Sequence, residues 1–62
     1  MTDLQIQKVR VGSFLSYNEW LGIVIDINTT QYRILWIHNK EAASISRHRR
    51  FDLIECFSLL SA

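Results

Sequence analysis

Apolar and polar residues alternate most regularly between Val11 and Ile37, where two long apolar runs surround a short polar segment. The runs are rich in β-branched and aromatic residues, which fit the pleated surface of a sheet. Asn28 to Gln31 separates them without an Asn-Gly pair, so we expect a four-residue hairpin loop here. The pattern predicts strands over residues 14–17, 20–27 and 32–37, with a turn at Asn18-Glu19.

The flanking segments are less regular. Residues 1–8 read as a polar arm or a short strand, because Leu4 and Ile6 lie two positions apart. Five short strands with small turns are typical of an all-β barrel or sandwich, and a small barrel leaves the fewest free edges. After a turn at 38–41 we predict a fourth strand over 42–47, a helical turn over 49–53, a fifth strand within 54–57 and a tail over 58–62. The folded body would then span residues 9–57.

The central segment resembles SH3-like barrels of the KOW-containing type. The family places a Val-Gly pair before the first long strand, here Val11-Gly12, and a glycine at the opening of the second, here Gly22. Val24 and Ile27 match the Val-x-x-Ile that follows. The resemblance implies a five-stranded SH3-like barrel with a short helical turn before the last strand. Such barrels occur in ribosomal, transcription, photosystem and phage proteins, so the resemblance does not select one function.

The small size of the chain favours a partner that buries part of its surface. A domain of 62 residues buries only about 60% of its unfolded surface, so it folds with little margin. Cys56 is the single cysteine, which excludes an internal disulfide, and one cysteine with two scattered histidines does not predict a zinc site or any other cofactor. Burial of surface against another chain is the remaining source of stability.

Charge and hydropathy indicate where in the cell we expect the protein. The net charge is only +1, far from that of a dedicated nucleic-acid binder. The polar N-terminus does not resemble a signal peptide, and no apolar run approaches the length of a membrane span. We therefore expect a soluble protein of a reducing compartment, in the cytoplasm or within an assembly such as a virion, with no membrane contact.

Candidate catalytic groups are scattered. Cys56 lies within an apolar run, where a cysteine is usually a small buried side chain. A pair of Cys56 with His48 would lack a third orienting group, and Asp52 is more simply a helix cap than half of a carboxylate pair. We expect no enzyme and no small-molecule substrate. The other candidate catalytic groups are the titratable side chains of His38, Asp26 and Glu55.

The basic cluster Arg47-His48-Arg49-Arg50 is the sharpest functional feature. Guanidinium groups bind phosphate or carboxylate in bidentate fashion, so the cluster could hold an acidic protein or a nucleic acid. A plain alternative is that the arginines face solvent and pair with nearby carboxylates. In the nucleic-acid hypothesis, the predicted binding residues are Tyr17, Trp20, Arg47, Arg49 and Arg50, since bases stack on aromatic rings.

The third strand indicates a protein partner, because both of its faces are mostly apolar. A strand with one solvated face should alternate apolar and polar residues, yet Leu35 and Ile37 lie opposite the face of Tyr32, Ile34 and Trp36. An apolar patch that the chain cannot cover marks an interface. We predict a non-enzymatic subunit that docks into a larger assembly or with its own copies. Besides this function and nucleic-acid binding, a third hypothesis is a small inhibitor that blocks the surface of another protein. The predicted contact residues are Leu35, Ile37, Arg47, Arg49, Arg50, Leu59 and Leu60.

Overall fold

The computed structural model describes residues 1–38 and 41–62, and at residues 38 and 41–43 it describes the backbone alone. Its strands form one open antiparallel sheet in the order β4-β3-β2-β1-β5. The chain is thus mostly β, as the alternation predicted. The elements are α1 (Asp3–Lys8), β1 (Phe14–Tyr17), β2 (Trp20–Ile27), β3 (Tyr32–His38), β4 (Glu41–His48), α2 (Arg50–Cys56) and β5 (Ser58–Ser61).

The three central strands and their turns are confirmed. Asn18, at the β1–β2 turn, has a φ of 54°, a left-handed conformation that asparagine tolerates. In the four-residue loop between β2 and β3, the side chain of Asn28 accepts hydrogen bonds from the backbone N–H groups of Thr30 and Gln31. The predicted fourth strand is also present. Residues 39–40 of the expected turn at 38–41 lie outside the described residues.

The N-terminal arm is a helix, so the alternative of a short strand is wrong. The Thr2 hydroxyl accepts from the backbone N–H of Gln5, and the Gln5 side chain accepts from that of Thr2. This reciprocal capping box satisfies two donors that a helix start leaves open. Of the two apolar residues that suggested alternation, only Ile6 is buried, while Leu4 is exposed.

The C-terminal prediction is wrong in position. The expected helical turn extends to Cys56 as α2, so a fifth strand at 54–57 does not form, and the expected tail contains β5 instead. Leu53 and Phe57 are buried while Glu55 between them is exposed, whereas a strand would place all three on one face, so the burial pattern is helical. The terminal ammonium of Met1 donates to the carbonyls of Ile54 and Phe57, at 2.7 and 2.8 Å, and so satisfies acceptors at the end of α2.

The core lies on one face of the sheet. Both helices pack on this face, through Ile6 of α1 and Leu53 of α2. We call this the core face and the opposite one the outer face. The buried apolar residues are Ile6, Val9, Leu15, Val24, Ile34, Trp36, Leu53 and Phe57.

A β-bulge in β2 explains part of the excess of apolar residues. The register between β2 and β3 shifts between Val24 and Asp26, so Ile25 has no paired residue. Beyond the bulge, Ile27 pairs with Tyr32, and both pack against the core. The bulge therefore returns Ile27 to the core face, although its parity in the sequence placed it with Leu21 and Ile23 on the other.

Gly22 permits the closest packing in the sheet. A Cβ atom at this position would lie 2.6 Å from Cγ2 of Ile34 and 3.3 Å from the ring of Trp36. The glycine is buried, and Trp36 is its paired residue on β3. The strand glycine thus marks a close approach, which was one of its predicted roles.

None of the described residues belongs to a helix long and apolar enough to cross a membrane.

We predict that Gly22→Ala destabilises the fold by about 1–3 kcal/mol, because the added methyl overpacks the contact with Ile34 and Trp36. The measurement is the urea midpoint of unfolding followed by tryptophan fluorescence. Ser61→Ala, at an exposed strand position, is the control and should leave the midpoint nearly unchanged. Equal midpoints for wild type and Gly22→Ala would contradict the close approach.

Candidate binding surfaces

The outer face carries a continuous apolar row across four strands. Phe14 pairs with Ile23, Ile23 with Leu35, and Leu35 with Ile45. Directly paired residues share a face of the sheet, so these four side chains are neighbours. Phe14 is 38% exposed and Ile45 is 54% exposed. We call this set the outer row.

Neither helix covers the outer row, because the buried side chains of both helices join the core on the opposite face. A second pair, Leu21 with Ile37, lies beside the row on the same face. Leu35 and Ile37, predicted as contact residues, therefore do lie together on an apolar surface that the described part of the chain leaves uncovered.

Two arginines lie at one end of this surface. Arg33 pairs in register with Asp26 on one side and with Arg47 on the other. Nevertheless, within the described residues neither arginine forms a salt bridge, and Nε of Arg33 is buried without a hydrogen-bond partner. Like charges directly opposite each other destabilise a sheet. The surface thus combines apolar side chains with two arginines that form no salt bridge among the described residues.

Leu59, Arg49 and Arg50, also predicted as contact residues, lie elsewhere. Leu59 pairs with Leu15 and packs against the core, whereas Leu60 is 57% exposed. Arg49 and Arg50 line a separate depression at the start of α2, together with the exposed ring of Phe51. The seven predicted contact residues therefore do not form one surface. Arg47 is also separated from Tyr17 and Trp20, the predicted stacking residues.

A groove lined by aromatic side chains runs along the core face beside the core itself. The ring centroids of Trp20 and Trp36 are 6.5 Å apart and nearly perpendicular. Phe57 lies 5.4 Å from Tyr17, 5.6 Å from Trp36 and 5.0 Å from His48. Tyr17 and Trp20 are 41% and 43% exposed, so their rings form open walls. We call these five rings, with Asp52 and Cys56, the aromatic groove.

Two adjoining cavities make up the groove. The smaller, of about 240 Å³, is lined by Tyr17, Trp20, Trp36 and Ser44. The larger, of about 390 Å³, shares Tyr17 and Trp36 as walls and adds Asp52 and Cys56. Ser46, His48 and Phe57 complete the larger cavity.

A chain of hydrogen bonds fixes the floor of the groove. The indole N–H of Trp36 donates to Oγ of Ser46 at 2.6 Å, and this oxygen lies 2.7 Å from Nε2 of His48. Since Ser46 already accepts from the indole, the simplest assignment has its hydroxyl donate to His48. The network holds Trp36 in one orientation and engages Nε2 of His48.

Cys56 is exposed, so the expectation of a buried cysteine is wrong. The helix that replaces the predicted fifth strand directs Leu53 rather than Cys56 into the core. The thiol and His48 do line the same cavity, yet the hydrogen bond of His48 goes to Ser46. Among the described residues, no three histidine, cysteine or acidic side chains are placed to hold a metal ion.

The exposed rings of Tyr17 and Trp20 were predicted from the sequence, but the groove that they line was not. Ser44, Ser46 and His48 alternate along β4 and so share a face, which is a signal present in the sequence. Their meeting with Phe57 depends on where α2 ends, and that position was predicted wrongly. Comparison of the chain with models of protein families, with curated proteins and with solved structures finds no match.

We predict that Ser46→Ala destabilises the protein by about 1–2 kcal/mol, since it leaves the part-buried indole N–H of Trp36 without an acceptor. Ser44→Ala is the matched control, because Ser44 lies two residues away on the same face and is exposed. The measurement is urea unfolding together with the hydrogen-exchange rate of the Trp36 indole. An unchanged exchange rate in Ser46→Ala would contradict the network.

Proposed function

We propose that this protein is a non-enzymatic docking module, a small accessory or structural subunit of a larger assembly such as a phage virion. The observation that carries the proposal is the outer row. It places four apolar side chains side by side on a sheet face, away from the core and from both helices. Contiguous exposed apolar surface of this kind marks interaction sites.

The fold we propose for this module is an SH3-like barrel of the KOW type. The antiparallel strand order, with β5 beside β1, and the helix before the last strand support it. The 5.0 Å contact between His48, at the end of β4, and Phe57, just before β5, also supports it. This contact brings ends of the two edge strands together, although no ladder joins β4 and β5 in the described residues.

The charges beside the outer row support an acidic protein partner. A carboxylate supplied by the partner could bind between Arg33 and Arg47 and reduce the repulsion between them. The interface would then have an apolar centre with charge-assisted hydrogen bonds at its rim.

We predict that Ile45→Asp abolishes docking, because it introduces a charge at the exposed end of the apolar outer row. Ile45 is 54% exposed, so the variant should stay folded, with a loss of stability below about 1 kcal/mol. The measurements are sedimentation of the purified protein over a concentration series, binding of an apolar dye, and pull-down from the native source.

Ser44→Asp is the control for this experiment, because the residue adjoins Ile45 on the same strand but faces the groove. It should leave docking unchanged, whereas Arg47→Glu should weaken capture of an acidic partner. A wild-type protein that stays monomeric, binds no apolar dye and captures the same proteins as Ile45→Asp would contradict the proposal.

A second candidate function, nucleic-acid binding, is favoured by one observation. Arg49 and Arg50 line a depression of about 620 Å³ together with Phe51, which is 55% exposed. Thr30 and Gln31 form the opposite wall. Two guanidinium groups beside an open aromatic ring could hold the backbone of a single strand while a base stacks on the ring.

Salt dependence separates the two functions. If about three phosphates are neutralised, the affinity for a fluorescent oligothymidylate should fall with log salt at a slope of about −2 to −3. Docking through the outer row should fall less steeply with salt, because only the contacts of Arg33 and Arg47 with an acidic partner are screened. Phe51→Leu would weaken strand binding and leave docking intact. Anisotropy that does not change with added oligonucleotide at low salt would exclude this function.

A further inference from the structure

The aromatic groove is a second binding surface, and neither proposed function uses it. It lies on the face of the sheet opposite the outer row, since Ser46 and His48 alternate with Ile45 and Arg47 along β4. We infer that the groove binds an arginine side chain presented by an extended segment of a partner protein. The guanidinium would stack on the rings of Tyr17 and Trp20 and pair with the carboxylate of Asp52.

The walls of the groove suit a flat cation. Of the described residues that line the smaller cavity, three are aromatic: Tyr17, Trp20 and Trp36. The face of an aromatic ring is electronegative and attracts a cation, and a guanidinium can also stack flat on it. Trp36 is held in place by Ser46, and Phe57 lies behind both Trp36 and Tyr17, so the floor is preorganised.

The charge of the groove selects a cation over an anion. Asp52 lines the larger cavity, and its Oδ2 accepts one long hydrogen bond, at 3.4 Å, from the backbone N–H of Arg49. The remaining acceptor positions of the carboxylate are available for a guanidinium. Among the described residues that line either cavity there is no lysine or arginine.

The arrangement of the two cavities suits a segment of chain rather than a small cation. They share Tyr17 and Trp36 as a common wall, so a ligand in one cavity adjoins the other. A side chain stacked in the smaller cavity can reach Asp52 in the larger, while the backbone of an extended peptide follows the rim. The hydroxyl of Tyr17, which has no partner among the described residues, is a donor for a peptide carbonyl there.

The test uses the full chain labelled with ¹⁵N and two short probe peptides. One is acetyl-Gly-Gly-Arg-Gly-Gly-amide; the other carries citrulline, which has nearly the same shape as arginine without its charge. The arginine peptide should shift the Trp20 indole and Tyr17 amide resonances in a saturable manner. The citrulline peptide should bind at least about fivefold more weakly, because it lacks the attraction of a cation to the rings and to Asp52.

Variants locate the site. Asp52→Asn should reduce affinity for the arginine peptide about three- to tenfold and leave citrulline binding unchanged. Glu55→Gln is the matched control, since it removes the same charge from an exposed position of the same helix. Tyr17→Leu keeps apolar bulk without the ring and should also weaken arginine binding. Ile45→Asp, on the outer face, should have no effect, so a failure here and a failure of outer-row docking can be distinguished.

The single cysteine gives an independent measurement. Cys56 is exposed in the larger cavity, so the arginine peptide should slow its reaction with a thiol reagent, and the citrulline peptide should not. Equal affinity for both peptides would overturn the inference. So would an equal loss of affinity in Glu55→Gln and Asp52→Asn, or shifts confined to the outer row.

Discussion

The contact of Trp36 and Ile34 with Gly22 is the constraint on which the rest of the structure depends. Because position 22 has no side chain, the indole can lie flat against β2 and reach both the core and the groove. The same ring then supports Phe57 and Trp20, and its N–H orients Ser46 and His48. A larger residue at position 22 would therefore disturb the core and the binding surface together.

The two faces of the sheet have different chemistry because successive side chains of β4 lie on opposite faces. Ile45 and Arg47 extend the outer face, while Ser44, Ser46 and His48 extend the groove. The outer face is apolar with Arg33 and Arg47 at one end, and the groove is aromatic with Asp52 in its lining. A chain with both surfaces could join two partners of different character, one acidic and one basic, as an accessory subunit of an assembly would.

The first four strands could be predicted from the sequence because period-two alternation is a local property of the chain. The helices were harder, since α1 and α2 are short and each contributes little apolar periodicity. The capping box of α1 is a readable signal, Thr2 followed three residues later by Gln5. The outer row and the apolar pair beside it were partly predicted, through Leu35 and Ile37 respectively. That Phe14 and Ile45 belong to this row follows only from the register of the strands. That Ile27 returns to the core follows only from the bulge at Ile25.

The groove could not be predicted because its parts come from elements far apart in the chain. Tyr17 and Trp20 flank one hairpin turn, Trp36 and His48 come from the neighbouring strands, and Phe57 follows α2. Only the end of α2 places Phe57 against the other rings, and there the apolar run at 53–57 reads equally as strand or helix. In the helical form, Leu53 and Phe57 enter the core while Asp52 and Cys56 line the groove. Asp52 therefore lines the aromatic groove because this segment is a helix rather than a strand.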